Sequence, residues 1–103
     1  MTEKEREETV AGIEDDLKKL EQSATTDFDK GVAEVFRRAE SILISAAAYN
    51  VANHGKATEL WGDHLYEAAK LISECATDSY IMYQSAVEAY EKGYKDALDK
   101  KSS

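Results

Sequence analysis

A chain of 103 residues, 43% hydrophobic and 33% charged, has the composition of one small folded domain, which excludes general disorder. Its 13 Lys and Arg residues are outnumbered by 21 Asp and Glu residues, and the net charge of −8 disfavours binding to a phosphate backbone. The single cysteine excludes an internal disulfide and a cysteine metal cluster.

The chain has no proline and only five isolated glycines, so it lacks the turn signals that strands and hairpins need. We therefore predict an all-α fold, a single domain over residues 1–103 built as a bundle of three or four amphipathic helices. Because so small a domain buries a modest core, we expect oligomerisation to complete the bundle as a dimer or larger assembly.

The start of the chain is charged and carries no apolar leader, and no long apolar run follows. We predict a cytoplasmic protein that does not enter a membrane. Export without a cleaved signal peptide is the alternative.

The first predicted helix covers residues 2–22. Its apolar residues recur every three or four positions and form one narrow stripe: Val10, Ile13, Leu17 and Leu20. All other faces are charged, so we expect this helix to lie in a groove between other helices.

The second predicted helix covers residues 28–53, with Thr26 or Asp27 as its N-cap. Its apolar face is wider than that of the first helix, and residues 42–48 are predicted to be the most buried part of the chain. Gly55 can adopt the positive φ that ends a helix, and His54 and Lys56 suit the negative end of the helix dipole.

The third predicted helix covers residues 59–98, with Thr58 as its N-cap. Apolar and small residues alternate at spacings of four and three along nearly all of it, which is compatible with one helix of about 40 residues. A break near Thr77, within residues 76–79, is the alternative, since Thr, Asp and Ser favour caps. We expect residues 100–103 to fray.

No group of residues has the spacing of a catalytic or metal site. His54 and His64 lie on different elements, and His64 and Cys75 are about three helical turns apart. The carboxylates lie in solvated charge, and no glycine-rich phosphate loop is present. We predict a protein that is not an enzyme and binds no metal, cofactor or small-molecule substrate.

Tyrosines concentrate in the last helical stretch. Tyrosine is enriched at protein interfaces, so this stretch is a candidate partner-binding face. Its residues are Tyr80, Tyr83, Val87, Tyr90 and Tyr94. The alternative is that these side chains pack against the first helix within the same chain. Trp61 is predicted to close one end of the core.

Residues 27–72 resemble the central part of the histone fold, where a long helix, a short loop and a shorter helix follow one another. The resemblance lies in Ala33, Val35, Phe36, Leu43, Ala47, Gly55 and the K-x-T-x4-D pattern of Lys56, Thr58 and Asp63. It implies an ion pair between Lys56 and Asp63, a helix capped by Thr58, and an obligate dimer. The family's DNA contacts are not expected in a chain of charge −8.

A second resemblance is to the small WXG proteins exported by type VII secretion. It lies in the chain length, the acidic helical hairpin and the adjacent pair Trp61-Gly62 at the mid-chain turn. It implies a secreted helical hairpin.

Together these features predict an acidic helical adaptor, inhibitor or complex subunit that binds a protein partner or itself. The rival is a histone-fold dimer associated with nucleic acid or with nucleic-acid-binding proteins. It would require the basic residues to converge on one surface: Lys18, Lys19, Arg37, Arg38 and Lys56. A continuous acidic stripe would instead indicate mimicry of nucleic acid.

Overall fold

The structure is a computed structural model, and it describes residues 1–53 and 55–102. These residues form three helices, α1 (Glu3–Ser23), α2 (Asp27–Ala52) and α3 (Lys56–Ser102). The helices pack side by side in a rod of 72 × 20 × 18 Å. The predicted all-α bundle is confirmed, whereas its completion by oligomerisation remains a prediction.

Both N-terminal helices begin at capping boxes, as their sequences favour. Thr2 and Glu5 exchange side-chain and backbone hydrogen bonds at the start of α1, and Thr26 and Asp29 do the same for α2. Thr26 is thus the N-cap, one of the two predicted. Beyond the end of α2, Gly55 has a φ of +152°, in the region that favours glycine.

The third helix is continuous, so the alternative break near Thr77 does not occur. Thr77 is buried, and its hydroxyl donates to the backbone oxygen of Asp16 at 3.1 Å, which ties α3 to α1 instead of capping a new helix. At 1.5 Å per residue, 47 residues account for nearly the whole length of the rod.

The start of α3 differs from the prediction. The helix begins at Lys56, so Thr58 lies in its first turn and is not the N-cap. The Thr58 hydroxyl donates to the backbone oxygens of Asn53 and Gly55 at 2.8 and 3.0 Å, where a cap would accept from an N–H group. Residues 100–102, which were expected to fray, belong to α3, which ends at Ser102. The predicted role of His54 and the predicted fraying of Ser103 lie outside the described residues.

The core is small and follows the narrow stripe of α1. Ile13 and Leu17 are buried with Ala69 of α3, and Leu20 is also buried. α1 therefore lies in a groove as predicted. The expectation that residues 42–48 are the most buried part of the chain is wrong, since Ile42 is 70% exposed and within this segment only Ala47 is buried.

Among the described residues, no helix has an apolar stretch able to span a membrane.

Two more predictions about the α2–α3 corner are corrected. Trp61 is 56% exposed and does not close the core. Asp63 is buried as a structural residue, but its ion pairs are with Arg6 and the ammonium of Met1, not with Lys56. α1 reaches the Asp63 carboxylate from its N-terminal turns, and Lys56 is exposed.

Candidate protein-interaction site

The outer side of α2 carries a row of large hydrophobic side chains at intervals of seven residues. Each is 65–70% exposed: Phe28, Val35, Ile42 and Tyr49. Residues seven apart lie almost above one another on a helix, so the four side chains form one straight line along α2. We call this line the α2 row.

The row faces outward because the other helices occupy a different side of α2. The Arg37 guanidinium donates to both carboxylate oxygens of Glu14 at 3.0 and 3.1 Å, and it also pairs with Glu21. At about 100° per residue, Arg37 points roughly 200° around the helix from Val35. The side of α2 that meets α1 is therefore nearly opposite the α2 row.

α3 carries a second apolar row, which runs far beyond the bundle. Its members recur at spacings of three and four and include no charged residue: Trp61, Leu65, Ala68, Ile72, Cys75, Ser79, Tyr83, Ala86, Tyr90, Gly93 and Ala97. Leu65 and Ala68 are half-buried, and the other members are exposed. We call this line the α3 row.

Phe36 joins the two rows into one surface. It lines a shallow hollow of about 440 Å³ together with Phe28, Val32 and Val35 of α2. It also lines a second hollow of about 470 Å³ with Ile72, Ala76, Ser79 and Tyr83 of α3, among others. The α2 row, Phe36 and the α3 row together are the apolar face. Its two hollows are the kind of indentation that takes the side chains of a facing helix.

The tyrosines predicted to bind a partner divide into two groups. Tyr83, Tyr90 and Tyr94 are 55%, 75% and 59% exposed, so they do not pack against α1. Tyr80 is half-buried: its ring lines the second hollow, but its hydroxyl donates to the buried carboxylate of Asp29. Val87 is also half-buried. Tyr83, Tyr90 and Tyr94 remain available to a partner.

The hydrogen bond between Tyr80 and Asp29 changes the titration of both groups. It lowers the pKa of Asp29 to about 2, since the bond favours the carboxylate. It raises the pKa of Tyr80 to about 12, since the phenol proton is held by that carboxylate. Tyr80 thereby joins α3 to the start of α2 and helps to hold the two rows of the apolar face in place.

Glu40 is a buried residue that the sequence analysis did not single out. It is 0% exposed, and neither carboxyl oxygen has a hydrogen-bond partner among the described residues. Burial, followed by the charge of Asp16, raises the pKa of Glu40 to about 7. The sequence does contain a signal for the burial of Glu40. Glu40 lies seven residues from both Ala33 and Ala47, which are buried, so it lies on the same face of α2 as they do.

A raised carboxyl pKa is also a feature of catalytic acids. A general acid must come within hydrogen-bonding distance of its substrate, and Glu40 exposes no surface to solvent. Its position is therefore that of a core carboxyl group. In the described part of the chain, no three His, Cys, Asp or Glu side chains are arranged to hold a metal ion.

A further hollow, larger than the two on the apolar face, lies between the N-terminal half of α1 and the end of α2. It measures about 790 Å³, and its mostly apolar lining includes the acids Glu3, Glu7 and Glu14 and the cation Arg6. Tyr66 of α3 and small residues such as Ala48 line its inside. It is separate from the apolar face, because the residues lining it include no member of either row.

The basic residues named for nucleic-acid contact are partly engaged with acids. Arg37 pairs with Glu14 and Glu21, and Arg38 pairs with Glu34. Two of the five basic residues named for nucleic-acid contact therefore have carboxylates beside them. This argues against a continuous basic surface formed by all five.

The apolar face is thus the feature for which a functional role can be argued from geometry. The sequence contains the signal for the α2 half of this face, since large hydrophobic residues recur every seven positions from Phe28 to Tyr49. The sequence analysis did not single out this row, because apolar residues cover much of α2 and do not show which side α1 would cover. Comparison of the chain with protein-family models, with curated protein sequences and with solved structures finds no significant match.

Proposed function

We propose that this chain is a non-enzymatic protein-interaction module, an adaptor, inhibitor or complex subunit, that binds another polypeptide through the apolar face. The observation that carries the proposal is the exposure of the whole α2 row, four large hydrophobic side chains in line, beside the exposed aromatic residues of α3. Single exposed hydrophobic residues are ordinary, but a contiguous line of them marks an interaction surface.

The composition of the face also favours a protein partner over a small molecule. Both hollows are shallow and mostly apolar, whereas small-molecule sites are deep clefts with a few polar groups that orient the ligand. Aromatic residues such as Tyr83 and Tyr90 are enriched where protein surfaces meet. A facing helix can bury them without needing a deep cavity.

The proposal does not depend on either family resemblance. A histone-like dimer associated with nucleic acid and a type VII secreted hairpin remain alternative predictions. The ion pairs of Arg37 and Arg38 give the nucleic-acid alternative less support than a basic surface would.

Site-specific photo-crosslinking in the native cell tests the proposal. A benzoylphenylalanine at Tyr83 lies on the apolar face and replaces one aromatic residue by another. The matched control places it at Glu88, which is also exposed but lies five residues, or about 140°, around the helix. We expect a discrete polypeptide adduct from position 83 and none from position 88.

The photo-adduct shows both whether the apolar face binds a polypeptide and which polypeptide it binds. An adduct with any polypeptide, including another copy of the chain, supports the interaction function. Equal labelling at positions 83 and 88, or no adduct at position 83, would rule out the apolar face as a docking surface.

A further inference from the structure

We propose that the occupant of the α3 row, the α3 half of the apolar face, is a second copy of this chain, with the two α3 helices antiparallel and a two-fold axis beside Ser79. This inference rests on the proposed function and adds the identity and direction of the partner. The reasons are the symmetry of the α3 row, the order of its large and small side chains, the exposed end of α3, and the absence of charge along the row.

The α3 row is centred on the middle of its helix. Ser79 lies 18 residues from both Trp61 and Ala97, the two ends of the row, and 23 residues from both Lys56 and Ser102, the two ends of α3. Two antiparallel copies that cross at Ser79 therefore match along the full length of the row. Ser79 is small and exposed, so two helices can approach closely there.

Large and small side chains fall opposite one another in this arrangement. The facing residues, each equally far from Ser79 on opposite sides, are Trp61 with Ala97, Leu65 with Gly93, Ala68 with Tyr90, Ile72 with Ala86, and Cys75 with Tyr83. Every pair joins one large residue to one small one, which lets facing helices interdigitate. A parallel pair would instead set Tyr90 against Tyr90 and Gly93 against Gly93.

The last part of α3 has exposed side chains. The Gln84 side chain donates to the backbone oxygen of Ser23 at the end of α1, and Val87 is half-buried. From residue 88 to residue 100 every side chain is exposed. A helical segment of this length that buries so little of its surface is marginal in water, because most helical stability comes from packing. In the antiparallel dimer, residues 58–70 of the second copy lie alongside it.

The charge distribution allows two acidic copies to meet. Each chain carries a net charge of −8, and like charges buried at an interface would oppose association. No residue of the α3 row is charged. The second copy can therefore cover this row without bringing carboxylates directly together.

A pair of substitutions one residue apart tests self-association. Ala86→Glu puts a carboxylate on the α3 row opposite Ile72, whereas Ser85→Glu puts the same group about 100° away on an equally exposed position. We expect sedimentation equilibrium to show a dimer for the unchanged chain and for Ser85→Glu, and at least a tenfold weaker dimer for Ala86→Glu. Circular dichroism should show both variants folded, with any loss of helix in Ala86→Glu no larger than the segment from residue 88 to residue 100 accounts for.

Mixing variants tests the direction of pairing. Ile72→Lys alone should also weaken the dimer, but equimolar Ala86→Glu and Ile72→Lys should form a heterodimer, since the introduced carboxylate would face the introduced ammonium only in the antiparallel register. Spin labels at Lys95→Cys in a Cys75→Ser background should lie roughly 50 Å apart, because the two sites are separated by about 32 residues of helix at 1.5 Å each. A parallel pair would bring them within about 20 Å.

The outcomes distinguish this inference from the proposed function. A chain that stays monomeric in solution and yet forms a photo-adduct with a different polypeptide at position 83 would overturn the second copy and leave the interaction function standing. A dimer with a short label distance, or one unaffected by Ala86→Glu, would overturn the antiparallel arrangement. Absence of both a dimer and a photo-adduct would overturn both proposals.

Discussion

The guanidinium of Arg6 in α1 binds the carboxylate of Asp63 in α3 through two hydrogen bonds, Nε to Oδ1 at 2.8 Å and Nη2 to Oδ2 at 3.2 Å. The two residues are 57 positions apart in the sequence. Because Asp63 is buried, the ion pair is partly shielded from water. The same bonds hold the pKa of Asp63 below its usual range. The pair fixes the N-terminal end of α1 against the start of α3.

Replacing Arg6 by alanine should destabilise the protein by about 2 kcal/mol, because it leaves a buried carboxylate with less charge compensation. Thermal or urea unfolding of the purified protein at pH 7 measures this. Arg38→Ala is the matched control, since Arg38 forms an exposed pair with Glu34, and such pairs contribute only about 0–1 kcal/mol. Equal losses in the two variants would show that the Arg6 pair has no special role.

The hydrogen bond between Tyr80 and Asp29 can be tested by spectroscopic titration. Tyr80→Phe should remove a tyrosine absorbance change centred near pH 12, the pKa to which Asp29 raises Tyr80, and should lower stability by about 1–2 kcal/mol because the buried Asp29 loses a donor. Tyr83→Phe, on the neighbouring exposed tyrosine, should leave both the late titration and the stability nearly unchanged. A late titration that persists in Tyr80→Phe would assign it to another residue.

α3 approaches α2 closely at Gly62. A Cβ atom there would lie 2.6 Å from Val51 Cγ2 and 2.7 Å from the backbone oxygen of Ala47, both closer than packed atoms allow. Gly62→Ala should therefore force the helices apart and cost about 1–3 kcal/mol. Gly31→Ala provides the contrast: no atom lies within 4 Å, so the gain in helix propensity should raise stability by roughly 0.5–1 kcal/mol. Denaturant unfolding of both variants measures the free energy of unfolding, which should fall in Gly62→Ala and rise in Gly31→Ala.

The sequence predicted the features of this fold that depend on local chemistry. Thr26, one of the two predicted N-caps of α2, caps the helix because a hydroxyl followed three residues later by an acid satisfies the first backbone N–H groups. The narrow stripe of α1 allowed a single buried orientation, and Ile13 and Leu17 are buried in it. The tyrosine stretch ends in exposed residues because α3 is much longer than α1 and α2.

The remaining features depend on which helix covers which face. The apolar residues of α2 extend around much of its circumference, so periodicity could not show that Ala47 would be buried and Ile42 exposed. Thr77 has the composition of a cap, but a long-range hydrogen bond to Asp16 uses its hydroxyl inside a continuous helix. Local propensity cannot foresee such a partner 61 residues away.

The last prediction concerns pH and follows from Glu40. Its ordinary pKa of 4.5 is raised to about 7 in the fold, first by burial and then by the charge of Asp16. Between these values the folded chain binds more protons than the unfolded chain, so stability falls as pH rises from about 4.5 to about 7 and then stays level. The decline should amount to roughly 3 kcal/mol, since each pKa unit corresponds to about 1.4 kcal/mol.

Glu40→Gln should abolish this decline, because the amide is uncharged at every pH in the window and has nearly the same volume. The free energy of unfolding of the variant should therefore gain on that of the unchanged chain as pH rises, by roughly 3 kcal/mol between pH 4.5 and pH 8. Glu8→Gln is the control: Glu8 is an exposed acid on α1, and its substitution should leave the pH dependence intact. Urea unfolding at half-unit steps from pH 4.5 to 8 provides the measurement. If Glu40→Gln keeps the full decline, another group must carry it, and the Glu40 carboxyl must either reach water or find a partner when it ionises.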